Sequence, residues 1–196
     1  MKAASEEFRI VEEPKKPLSM HPKKFGMWLF LASVLMLFAA LTSAYIVRQA
    51  EGDWVYFELP DVFYSTTILI LLSSVTMQWA YFAAKKDELK TVRSMMISTS
   101  MLGVCFLLGQ VFGWGEMAKQ GIYLVGNPSG SFVIVLTLIH GLHLVSAIVF
   151  VLIILAAALN GKIHSGNLAK MEMCATYWHF LGGLWLYLFV FLLLTR

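Results

Sequence analysis

Read along the chain, apolar positions gather into five long runs separated by short polar stretches. The runs extend from about Phe25 to Val47, Val62 to Ala84, Val92 to Trp114, Phe132 to Leu159 and Ala175 to Thr195. Each is long enough to cross a hydrocarbon core of about 30 Å as a helix of roughly twenty residues. None shows period-two alternation, and backbone groups in lipid need partners within their own segment, so helices are predicted. The expected fold is all-α: an integral membrane bundle of five transmembrane helices over 22–196, preceded by a polar cytoplasmic arm over 1–21. The arm lacks the apolar centre of a cleaved signal peptide, and Glu12, Glu13, Pro14 and Pro17 disfavour a helix there. Pro60 and Pro128 are assigned to loops, so no span should be broken by proline. There is no internal repeat and no inverted pair of interrupted helices, which speaks against a secondary transporter.

Composition sharpens this picture. Apolar residues make up 59% of the 196 and charged residues 14%, the latter about half the share usual in soluble domains. The formal net charge of +3 matters less than its placement. With the first helix rising from the inside, Lys2, Arg9, Lys15, Lys16, Lys23, Lys24, Lys85, Lys86, Lys90, Arg93, Lys162 and Lys170 all fall on the inner side. Only Arg48, Lys119 and Arg196 fall outside, and the positive-inside rule selects this orientation. The first outer loop collects Glu51, Asp53, Glu58 and Asp61, read as a solvated acidic loop. No basic stripe interleaved with aromatics is present, which excludes nucleic acid as an expected partner.

The interior of the spans holds no Asp, Glu, Lys or Arg, with Arg93 and Glu116 at boundaries. Proton and ion pathways need such groups, so this chain is not expected to move protons by itself. Three histidines do lie within spans: His140 and His143 on the fourth, and His179 on the fifth. One reading is haem ligation by a His143–His179 pair. Helical rise puts His140 and His179 about 10 Å apart in height, so His143 is the better match. The other reading, which we favour, is hydrogen bonding between packed helices. Gln78 and Gln110 should likewise bond neighbouring helices. Gly109 and Gly113, with Gly103 and Gly115, Ala40 with Ala44, and Gly182–Gly183 mark expected close helix contacts. Trp28, Trp79, Trp114 and Trp178 are placed as interfacial anchors, with Trp185 deeper and packed. Cys105 and Cys174 have no metal or haem-attachment spacing and read as unpaired thiols.

Three stretches carry a family resemblance: FGMWLFLASVLMLF (Phe25–Phe38), GSFVIVLTLIHGLHLV (Gly130–Val145) and YWHFLGGLWLYLF (Tyr177–Phe189). Together, and in this order, they resemble subunit III of the haem–copper respiratory oxidases, over about Pro22 to Leu194 and the last five helices of longer members. The resemblance implies a non-catalytic accessory subunit of a proton-translocating terminal oxidase in a bacterial cytoplasmic membrane. Such a subunit packs on the catalytic subunit I beside other respiratory subunits, and it binds phospholipid. It implies no cofactor on this chain, with haem and copper held by the partner. The residues carried over are structural or lipid-contact candidates: His140, His143, Trp178, His179, Trp185 and Glu172.

The departures from the family pattern are specific. Val34 stands where the family has a glutamate after serine, Tyr81–Phe82 where it has His-His, Gly113 where it has an acidic residue, and Gly182 where it has an aspartate. Their loss argues against a proton-supply role. The readings left open are an accessory subunit associated with a nitric oxide reductase, a haem-binding membrane cytochrome and a transporter.

Overall fold

The computed structural model describes residues 22–161 and 168–195, so the arm over 1–21 lies outside the described residues. Five helices are present: α1 (Pro22–Ala50), α2 (Val62–Lys85), α3 (Leu89–Lys119), α4 (Pro128–Leu159) and α5 (Ala169–Thr195). All five are long and apolar enough to cross a membrane, and the described residues contain no strand. Each contains one of the predicted runs and extends past it at one or both ends. The reason is that a helix need not stop where hydrocarbon stops. At about 1.5 Å per residue, the 31 residues of α3 span about 46 Å, well beyond a core of about 30 Å.

Two end structures show how the chain closes these helices. Pro128, assigned to a loop above, is instead the first residue of α4, where its missing N–H costs nothing. Asn127 caps it, its Oδ1 accepting from the Ser129 amide at 2.9 Å and the Ser129 hydroxyl at 2.7 Å. The same side chain donates to the Asp53 carbonyl at 2.6 Å, tying the first outer loop to α4. At the other end of α4, the Arg93 guanidinium donates to the carbonyls of Ala158 and Leu159 at 3.0–3.2 Å. That satisfies two groups a helix terminus leaves open.

Helices α2, α3, α4 and α5 form a closed ring, each packed on the next, with α2 and α3 in closest contact. Helix α1 stands outside the ring against α4 and α5. It buries a single stripe of Leu31, Val34, Phe38, Thr42 and Tyr45. Ala40 and Ala44, expected at a helix contact, fall off that stripe and are exposed. Gly115 and Gly183 are exposed too, with open space where a side chain would be. The other small residues do sit at contacts: Gly109 against Thr66, Gly113 against Phe63, Gly103 against Trp178 and Gly182 against Ser74.

The tryptophans divide in two. Trp28 and Trp79 are exposed, as anchors would be. Trp178, also assigned to the interface, is fully buried. Helix α5 begins at Ala169, six residues before the apolar run, so Trp178 lies nine residues in, about 13 Å along the axis.

Candidate functional site

The bundle interior is held by a repeated device. A serine or threonine hydroxyl gives its proton to a carbonyl of its own helix and offers its lone pairs to an indole N–H from another. Ser73 donates to Ile70 and accepts from Trp178 at 3.0 Å. Thr67 donates to Phe63 and accepts from Trp185 at 2.9 Å. Thr137 donates to Val133 and accepts from Trp114 at 2.9 Å. In a medium without water, each pairing removes a donor that would otherwise stand alone. Gln110 donates to Thr66 at 3.2 Å, joining α3 to α2 as expected.

The three histidines meet different surroundings. His143 Nδ1 contacts the Ile139 carbonyl of its own helix at 2.8 Å, and its ring lies beside Phe30 and Phe38 of α1. His179 Nε2 reaches Gln78 Oε1 on α2 at 2.9 Å, so both residues make the interhelical bond predicted for them. His143 is thus held by its own helix and against α1 rings, and His179 by α2. No group of three or more His, Cys, Asp or Glu that could hold a metal occurs among the described residues. Cys105 and Cys174 are unpaired thiols.

His140 is the anomaly. It is fully buried among Phe38, Phe106 and Trp185, and neither ring nitrogen has a hydrogen-bond partner within the protein. A buried polar group without a partner costs roughly 1–3 kcal/mol. The expected result for His140→Leu is therefore a thermal midpoint in detergent that is unchanged or higher. A fall of several degrees would show that the ring nitrogens are satisfied in the folded protein.

Glu172, at the start of α5, forms an ion pair with Lys24 of α1 at 2.6 Å. Both side chains are partly exposed, so the pair contributes at most about 1 kcal/mol. It is nevertheless one of three polar clasps between α1 and α5. The others are Thr42 with the Tyr187 hydroxyl at 3.1 Å and Gln49 donating to the Thr195 carbonyl at 2.7 Å. Between the clasps the two helices stand apart. A groove of about 660 Å³ runs between them, lined by Leu35, Phe38, His179, Phe180, Gly183 and Tyr187 among others. Sequence reading placed His179 on α5 but had no means of finding this groove, since α1 and α5 are distant in the chain.

A family model for cytochrome c oxidase subunit III matches residues 55–195, from the first outer loop to the end of α5. The chain is also similar to a probable quinol oxidase subunit 3 of Staphylococcus saprophyticus. The identity is 31% over 173 residues, covering 85% of each chain. Probable quinol oxidase subunit 3 proteins of Staphylococcus aureus strains USA300 and NCTC 8325 are 30% identical over the same length, again with 85% of each chain covered.

Proposed function

This chain belongs to the cytochrome c oxidase subunit III family and is an accessory subunit of a haem–copper oxidase, and we propose that it serves a quinol-oxidising, proton-translocating terminal oxidase. The observation that carries the donor assignment is the likeness over 85% of both chains to proteins named quinol oxidase subunit 3. It also favours oxygen reduction over the nitric oxide reductase alternative. The chain packs on the catalytic subunit I, which holds the haem and copper. Its own interior, built from indole–hydroxyl pairs with charges only toward the helix ends, supplies a rigid surface and no proton path.

The complex sits in a bacterial cytoplasmic membrane with α1 starting on the inner side, as the Lys and Arg distribution favours. Phospholipid covers the outer faces. A shallow furrow of about 600 Å³ on α2, bounded by Trp79, Phe82, Lys85 and Lys86, suits an anionic headgroup at the inner surface. The candidates His140, His143, Trp178, His179, Trp185 and Glu172 act as structural residues in this reading. His143 and Trp178 hold helix contacts, Trp185 and Phe106 enclose His140, and Glu172 clasps α1.

Purification in mild detergent on a tag at Met1 tests the assignment, read by visible spectrum and by mass spectrometry of the accompanying chains. Haem and copper arriving with a large catalytic subunit, and leaving when the subunits are separated, is the expected result. Haem that remains on this chain alone would overturn it. Native mass spectrometry of the same complex should show bound anionic lipid decreasing when Lys85 and Lys86 are both alanine.

A further inference from the structure

Two loops close the outer end of the bundle, 51–61 between α1 and α2 and 120–127 between α3 and α4. Asn127 joins them: its Nδ2 donates to the Asp53 carbonyl at 2.6 Å and its Oδ1 accepts from the Val55 amide at 3.4 Å. The Ser131 hydroxyl holds the Leu124 carbonyl at 2.7 Å, and the Ile122 amide donates to the Met117 carbonyl at 3.0 Å. Trp54 stands edge-on to Tyr45, ring centroids 4.7 Å apart, and Leu59 is buried. Both loops are therefore fixed in the free chain, and a preformed surface binds at little ordering cost.

This fixed surface is apolar where loops are normally polar. Val125 is 87% exposed and Tyr56 67%, with Val55, Tyr123 and Leu124 open as well. Val55, Ile122, Tyr123 and Val125, together with Asn127 and Ser129, line a depression of about 150 Å³, close to the size that takes a benzene ring. Exposed apolar side chains gathered around a pocket mark a place of interaction.

Lipid is a poor cover for it. Helix α3 runs five residues past Trp114, the end of its apolar run, so the second loop begins about 7 Å beyond that level. Val55, Leu124 and Val125 lack the polar tip with which tyrosine and tryptophan sit among headgroups. Glu51, Asp53, Glu58 and Asp61 are exposed on the first loop, and neither loop contains Lys or Arg. Arg48 pairs with Glu51 at 3.0 Å and leaves the other three carboxylates facing out. Anionic headgroups repel such a segment. A face-to-face contact with a second copy of this chain would likewise set carboxylate against carboxylate.

We propose that this end of the bundle docks an extramembrane segment of another subunit of the same oxidase, which inserts an aromatic side chain between Val55 and Val125 and sets lysine or arginine opposite Asp53, Glu58 and Asp61. The proposal rests on the reading of this chain as part of an assembled oxidase, and adds to it a surface by which the subunit is held outside the bilayer. The pocket supplies affinity, and the carboxylates set approach and register.

The test uses the whole complex in lipid nanodiscs, with the photoreactive residue benzoylphenylalanine replacing Val125 or, separately, Tyr56. Cross-linked peptides are located by mass spectrometry after illumination. Both positions should cross-link to one segment of a partner subunit that lies outside its spans and contains an aromatic residue flanked by Lys or Arg. With the probe at position 56, Val125→Asp should lower that cross-link about tenfold, the size of one interface anchor lost. Val125 is too exposed to support the fold, so a fall reports on docking. Adducts to phospholipid alone, to a second copy of this chain or to a transmembrane helix would overturn the proposal, as would no adduct at all. Haem and copper in the same preparation report separately on the accessory role. Their presence without the cross-link sinks the docking surface alone, whereas a solitary, colourless chain sinks both.

Discussion

Replacing Trp178 by alanine is expected to lower the stability of the purified protein by about 3 kcal/mol, the lower part of the range for removing a large buried aromatic. The indole is fully buried. Its far edge lies 2.7 Å from where a Gly103 Cβ would stand, and its N–H reaches Ser73 at 3.0 Å. Truncation leaves a cavity where α5, α3 and α2 meet. Folded and separated helices both lie in lipid, so the transfer of apolar surface contributes little, and lost contacts account for most of the cost. Trp178→Phe separates the two contributions: it keeps most of the packing, loses the hydrogen bond and should cost about 1 kcal/mol. Denaturation in mixed micelles measures both. If Trp178→Ala were as mild as the phenylalanine variant, the indole would be an interfacial anchor after all.

The error over Trp178 shows what sequence conveys about such a protein. Length and hydrophobicity locate spans because the bilayer fixes how much apolar chain is needed. They do not locate helix ends, which are set by capping and extend into the interface. Nor do they say which face of a helix packs: the Trp178 indole is interior because it points from α5 at Ser73 of α2 and Gly103 of α3. Pro128, assigned to a loop, opens a capped helix, because proline is well suited to a first helical position.

Which face of a helix is buried was legible only in part. Gly109 and Gly113 fall one turn apart and do face a neighbour, whereas Ala40 and Ala44 have the same spacing and face outward. In a soluble helix, polarity distinguishes the faces. Here both faces of α1 are apolar, and only the three-dimensional packing on α4 and α5 decides. That Gln78 and His179 would bond across helices was legible; that they would bond each other, 101 residues apart, was not. The groove between α1 and α5 was likewise beyond sequence, because it arises from clasps at Lys24–Glu172, Thr42–Tyr187 and Gln49–Thr195 that hold two helices without closing them.

The second large effect is expected at the α2–α3 contact. A Cβ at Gly109 would collide with the Thr66 side chain, and one at Gly113 with the Phe63 ring. Gly113→Ala should cost about 1–3 kcal/mol through overpacking, against a helix-propensity gain of up to about 1 kcal/mol. Gly109→Leu with Gly113→Leu should force α2 and α3 apart, breaking the Gln110–Thr66 and Thr76–Thr99 bonds, and the subunit should be lost from the complex. Because the clash at Gly113 is with one named ring, Phe63→Leu should recover part of the stability of Gly113→Ala, a coupling that a double-mutant cycle reads directly. A stabilising Gly113→Ala would show that the two helices do not approach this closely. Position 113 is one where the family resemblance places an acidic residue, and here the ring of Phe63 occupies the space a side chain would need. At Val34, another such position, the side chain is buried in the α1 stripe, and at Gly182 the Ser74 hydroxyl would lie 3.1 Å from a Cβ. Two of the missing carboxylates are thus replaced by close packing and the third by a buried valine. At these three positions the bundle thus holds close packing and no carboxylate.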